Sequence, residues 1–147
     1  MRALENLANY VDQEGPFDGA MGFSHGASLI ATYLLQCQQT QPFKCAIFLS
    51  ASRPYDVAAL STGVLRYADP DPDRRPLLSL PTTHIWGSRD DAYGDQCNVL
   101  VAMSDEAKRN VYIHKGGHEI PGPRAKDDVQ GCVRAIRRVI ERASLDA

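Results

Sequence analysis

The chain has 147 residues, a net charge of −2 and 44% apolar side chains, a balance that excludes a disordered chain and a basic nucleic-acid footprint. The length suits one domain that buries roughly two-thirds of the surface its unfolded form exposes. No run approaches a membrane span, the first residues lack a secretory layout, and Cys37, Cys45, Cys97 and Cys132 show neither C-x-x-C nor metal spacing, so the expectation is a soluble, cytoplasmic protein with reduced thiols and neither nucleic acid nor membrane as partner.

Leu4, Leu7, Ala8 and Val11 recur at helical spacing and predict an amphipathic helix over residues 2–13, stopped by Gly15-Pro16. Residues 17–23 read as a short buried strand leading to Ser24. Residues 25–38 are small and apolar without proline, which predicts a helix buried on most of its circumference. Residues 45–50 form a continuous apolar run, as in a parallel sheet covered on both faces.

Residues 51–80 break the rhythm and read as a cap-like excursion with a short helix near 56–67. The alternating Asp-Pro of residues 69–76 excludes helix and central strand and predicts an ordered excursion or a mobile flap. Strand structure resumes at Thr82–Trp86 and ends at Gly87; a helix is expected over 97–108, a strand over 110–114 closed by Gly116-Gly117, and a final helix from about 125 to 143. Val129, Cys132, Val133, Ile136, Val139 and Ile140 share one face of that last helix. The alternation predicts a parallel α/β sheet in a single domain over residues 1–147.

Three chemically capable groups fall just beyond three of these strands. Gly22-Phe23-Ser24-His25-Gly26 has the G-x-S-x-G pattern of a nucleophile elbow, a strand-to-helix turn that exposes a serine hydroxyl. Both glycines are expected there on steric grounds, since a side chain at either would crowd the turn. Asp90 and Asp91 follow the third strand and His118 the fourth. Ligand sites in open parallel sheets lie at the carboxyl ends of the strands, and the order Ser…Asp…His is that of α/β-hydrolases. A serine hydroxyl needs an imidazole to take its proton, and a carboxylate to orient that imidazole. Asp90 is preferred as the acid because it lies nearer the strand end, with Asp91 and then Asp95 as alternatives.

Other residues have plainer readings. His114 and His118 are four apart, but the intervening glycines argue against a helical metal pair. His84 reads as a packed core or sheet-face histidine of a strand, and Trp86 as core rather than a substrate platform. Arg134, Arg137, Arg138 and Arg142 read as a solvated face complementing a helix dipole.

The block Gly15–Ala27 resembles the elbow region of the fungal serine hydrolase family, a group of α/β-hydrolases. Gly87-Ser88-Arg89-Asp90 is similar to that family's acid-bearing loop, and Gly116-Gly117-His118-Glu119-Ile120-Pro121 to its histidine block. The resemblance runs from about residue 2 to 142 and implies an α/β-hydrolase fold. It also implies Ser24 as nucleophile, Asp90 as orienting acid, His118 as general base and the His25 N–H as oxyanion donor. The implied activity is hydrolysis of a carboxylic ester or thioester without metal or organic cofactor; some fungal members release polyketide acyl chains from synthases.

Two departures qualify these expectations. The family usually has Gln after the nucleophile, where this chain has His25, which brings a second imidazole beside the site. Family members also place several strands and a helix before the elbow, including a loop that donates a second oxyanion N–H, whereas one helix precedes Ser24 here. The resemblance then implies an N-terminally shortened member with an unpaired edge on its first strand and a handicap of about 10²–10³ in turnover from the lost donor. The alternative expectation is an impaired hydrolase fragment acting as a binding or assembly subunit; a homodimer that completes the sheet through the exposed edge is a third.

Overall fold

A computed structural model describes residues 2–70 and 76–145. In chain order the elements are α1 (Arg2–Glu14), β1 (Gly19–Phe23), α2 (His25–Gln36), β2 (Cys45–Leu49), α3 (Val57–Ser61), β3 (Thr82–Gly87), α4 (Gly94–Met103), β4 (Arg109–His114) and α5 (Lys126–Leu145). Among the described residues the sheet has four strands, all parallel, in the order β1-β2-β3-β4. Its register aligns Phe23 with Leu49, Leu49 with Ile85 and Gly87 with His114. The carboxyl ends therefore form one rim, and the loops that leave it start side by side.

Strand alternation sorts the core into two layers. Ala46 and Phe48 of β2 face one way and join Ala27, Ala31 and Leu34 of α2 and Leu100 and Met103 of α4. Leu4, Leu7, Ala8 and Val11 lay the apolar stripe of α1 on the same cluster. Cys45, Ile47 and Leu49 face the other way, with Ile85, against Cys132, Ala135, Val139 and Ala143 of α5. All five residues of β2 are buried, which explains its unbroken apolar run.

Several elements differ from the sequence reading. β1 starts at Gly19, and only Gly22 in it is buried; Met21 is 61% exposed, because among the described residues β1 pairs with β2 alone. The helix expected over 56–67 is only α3. Its start is capped by the Asp56 side chain, which accepts from Ala59 N at 2.9 Å, and it ends at Thr62, before Gly63 with φ of 80°. The helix expected over 97–108 is α4, one turn earlier. Ser104 leaves the helix extended, and the Asp105 carboxylate turns the following backbone by accepting from Ala107 N at 2.9 Å. On α5, Val133 and Ile140 are exposed while Cys132 and Val139 are buried, so the inward stripe is narrower than the expected face.

The excursion between β2 and β3 is tied to α2 by side-chain hydrogen bonds. Ser28 Oγ donates to Arg53 O at 2.6 Å, and Tyr55 N donates to Thr32 Oγ1 at 3.0 Å. Tyr55 stacks on Tyr67, and Arg53 pairs with Asp69 and lies over the Tyr67 ring. Residues 71–75 of the expected flap lie outside the described residues.

His84 is a core residue, as its place in a strand implies. Its Nε2 lies 3.1 Å from both Thr82 Oγ1 and Ser104 Oγ, and burial, with a smaller contribution from the Arg109 cation, pushes its pKa down to about 3. The folded value lies below the unfolded one, about 6.5, so the unfolded chain binds the extra proton in the window between them. This contribution to stability is complete above the unfolded pKa and is lost as pH falls from about 6.5 toward 3. Denaturant unfolding should therefore show wild type losing about 2 kcal/mol more than His84→Gln between about pH 7 and pH 4.5. Parallel losses would contradict a buried neutral imidazole.

Candidate functional site

The turn from β1 into α2 holds Ser24 at φ 54°, ψ −124°, a backbone state that side-chain-bearing residues rarely adopt. Ser24 N donates to Leu49 O at 2.8 Å, continuing the β1–β2 ladder one residue past the strand. Ser24 O accepts from Ala27 N at 3.1 Å and Ser28 N at 3.2 Å and so starts the helix. The serine is thus fixed between sheet and helix with its side chain projecting at the rim. The two motif glycines are unequal. A Cβ on Gly22 would stand 2.6 Å from Ala27 N and 2.7 Å from Ala27 Cα, whereas one on Gly26 would meet nothing within 4 Å. The expected crowding therefore holds for Gly22 and is corrected for Gly26, which begins the outward face of α2.

The loop after β3 delivers Asp90. Its N–H donates to Gly87 O at 3.0 Å, its Oδ1 accepts from Tyr93 N at 3.1 Å, and its side chain is fully shielded from solvent. Asp91 and Asp95, the two alternatives, are exposed. The loop after β4 delivers His118 and is held against the β3 loop by Ser88 N to His114 O at 2.7 Å and Arg89 N to Gly116 O at 3.0 Å. Gly87 makes that approach feasible, because a Cβ there would lie 2.2 Å from Gly116 O.

The three expected residues meet. His118 Nδ1 lies 2.9 Å from Asp90 Oδ2, and His118 Nε2 lies 3.0 Å from Ser24 Oγ. With a carboxylate accepting from Nδ1–H, the Nε2 lone pair faces the serine hydroxyl, the arrangement needed to take its proton. The His118 side chain is 31% exposed, so water can reach the imidazole while Asp90 stays dry. His25 opens α2; its N–H belongs to the first turn, where the helix's own ladder leaves donors unused and the helix dipole favours developing negative charge.

Two residues at the site escaped the sequence reading. Tyr93 supplies the N–H that holds Asp90, and its ring stacks on His118 with centroids 4.4 Å apart. Phe23 sets a second ring 5.0 Å from His118. The spacing Asp90-x-x-Tyr93 is the available signal, since an Asp side chain often accepts from the backbone N–H a few residues on; nothing in it reveals the stacking.

Nearby reactive groups are inert by comparison. Cys97 is buried and its Sγ donates to Ala51 O at 3.3 Å; burial first, and then the Asp90 carboxylate, push its thiol up to about 12. His114 is buried, with Nδ1 accepting from Gly116 N at 3.1 Å. Among the described residues no three His, Cys, Asp or Glu side chains gather as metal ligands, and no helix is long and apolar enough to cross a membrane.

A family model described as serine hydrolase (FSH1) matches residues 1–130. The chain belongs to this serine hydrolase family. "Esterase FPY3" of Fusarium mangiferae is 32% identical over 145 residues, which cover 97% of this chain and 66% of that relative. "Hydrolase phiM" of a fungal species is 32% identical over 127 residues, covering 80% of this chain and 57% of the relative. The chain thus spans between about half and two-thirds of the length of these curated relatives. Among solved structures, mouse alpha/beta hydrolase domain-containing protein 10 superposes with a TM-score of 0.66 at 12% identity, covering 95% of this chain and 68% of that one. That likeness establishes the α/β-hydrolase fold, as expected.

The glycine asymmetry has a direct test. Gly22→Ala should lower stability by about 1–3 kcal/mol, whereas Gly26→Ala should leave it unchanged or raise it by up to about 1 kcal/mol. Thermal or denaturant unfolding decides; equal losses in both variants would refute the asymmetry.

Proposed function

We propose that this chain hydrolyses a carboxylic ester or thioester through an acyl-enzyme on Ser24. The observation that carries the reading is the unbroken hydrogen-bonded line Ser24 Oγ–His118–Asp90, at 3.0 Å and 2.9 Å. Ser24 Oγ attacks the acyl carbonyl carbon as its proton passes to His118 Nε2. Asp90 stays ionised, holding the tautomer and stabilising the imidazolium. The His25 N–H donates to the oxyanion of the tetrahedral intermediate. Collapse expels the alcohol or thiol, which takes the proton from His118. A water molecule then gives a proton to the same nitrogen, attacks the acyl-enzyme and releases the acid. The esterase and hydrolase names of the relatives support this reaction class, and the route calls on no cofactor. Tyr93 and Phe23 act on His118 as positioning residues, limiting the ring's freedom by contact.

A second reading draws on β1, whose outer edge is unpaired among the described residues beside the exposed Met21. In that reading the edge pairs with another strand, from a second copy or another polypeptide, and the chain works as an assembly subunit. The cap-like role expected of the excursion over 51–80 belongs with the first reading, in which its Tyr55, Leu60 and Leu65 line a cavity beside α2.

A fluorophosphonate probe should label wild type, fail on Ser24→Ala and react about 10⁴-fold more slowly with Asp90→Asn. Equal labelling of wild type and Ser24→Ala would remove Ser24 from the chemistry. A folded but unreactive wild type whose solution mass is a multiple of the chain's would favour the assembly reading.

A further inference from the structure

A cavity of about 410 Å³ lies between α1, α2 and the excursion, within the size range of small-molecule sites. Its wall begins at His25 and Gly26, the two residues that follow Ser24, and continues over Leu4, Leu29, Leu60 and Leu65. None of its lining residues is an Asp, Glu, Lys or Arg. The two α2 hydroxyls in the wall are already committed: Ser28 Oγ donates to Arg53 O at 2.6 Å, and Thr32 Oγ1 donates to Ser28 O at 2.7 Å while accepting from Tyr55 N. A polar ligand would find few free partners there and would be desolvated at a cost. The open space beside Gly26, where an added Cβ meets nothing within 4 Å, places the entrance next to the elbow. Leu65, 74% exposed, offers apolar surface at the rim.

We propose that this cavity is the acyl subsite and that it takes an uncharged aliphatic acyl chain. The inference rests on the ester or thioester hydrolysis argued above and names its substrate class. Two further cavities near the rim do not suit such a chain. One of about 450 Å³ beyond His114 is lined by Arg89, Lys115, Glu119, Arg124 and Asp128. Another, of about 480 Å³ beside Trp86, carries Asp90, Asp91 and Asp95. An acyl carbon attached to Ser24 Oγ would run over the His25–Gly26 backbone into these apolar surroundings on the α2 side. His25 stands at that entrance, edge-on to Tyr93 with ring centroids 6.0 Å apart, so the imidazole also limits the width of the chain that passes.

The test compares acetyl, butyryl, hexanoyl and decanoyl p-nitrophenyl esters. The rate constant kcat/KM should rise with chain length by up to about fourfold per added methylene until the cavity is filled. In Leu60→Trp, which fills the cavity, the decanoyl-to-acetyl ratio should fall by at least about tenfold. Val111→Thr, on an exposed face of β4, should leave that ratio unaltered. A catalysis-free measurement accompanies it: methyl decanoate added to Ser24→Ala should shift the NMR methyl signals of Leu60 and Leu65. A ratio in Leu60→Trp equal to that of wild type, or methyl decanoate shifts confined to Met21 and Ile140 beside β1, would overturn the subsite. If wild type cleaves none of the esters, the hydrolase reading fails by itself, and the methyl shifts still decide whether an aliphatic chain occupies this cavity.

Discussion

The site depends on the backbone of Ser24. A residue at φ 54°, ψ −124° costs about 1–3 kcal/mol and persists only where its surroundings leave no alternative. Here the sheet holds one side of the peptide through Leu49 O, and α2 holds the other through the bonds from Ala27 N and Ser28 N. Gly22 allows the helix to start this close to the strand. The apolar packing of Ala27, Ala31 and Leu34 against β2 thus also keeps a hydroxyl aimed outward from the rim.

Parallel register does the rest of the positioning. Because the strands end level, the loops after β1, β3 and β4 emerge as neighbours although Ser24 and His118 are 94 residues apart in sequence. Bonds between the β3 and β4 loops set the imidazole over the carboxylate, with Gly87 giving the room. Solvent access is graded across the group: Asp90 is shielded, His118 is partly open, and the cavity beside His25 and Gly26 is lined without charge. That gradient suits the roles proposed for them, a base that must meet water and an acid that must remain an oriented anion.

Much of this was legible in the sequence because it follows from local patterns. The unbroken apolar run of β2, the periodic stripe of α1 and the G-x-S-x-G turn each have one sensible structural reading. That Ser24, Asp90 and His118 come together follows from the convergence of strand ends in a parallel sheet, and nearness to β3 favours Asp90 over Asp91 as the candidate acid. What escaped depends on neighbours distant in sequence. Nothing local shows that Tyr93 stacks on His118, that Gly26 has free space, or that Val133 and Ile140 lie beyond the stripe α5 buries. α3 and α4 were misplaced at their ends because Asp56, Gly63 and Asp105 set the boundaries through backbone hydrogen bonds and a positive φ, which apolar periodicity does not encode.

The central claim is that Ser24 forms a covalent acyl intermediate with His118 as its base. Rapid mixing of the wild-type chain with p-nitrophenyl acetate, followed by quenching and mass spectrometry of the peptides, tests it most directly. The account predicts a burst of nitrophenol close to one equivalent per chain and an acetyl group on the peptide that carries Ser24. Steady nitrophenol release without a burst, together with an unmodified Ser24 peptide and acetylation elsewhere, would contradict it.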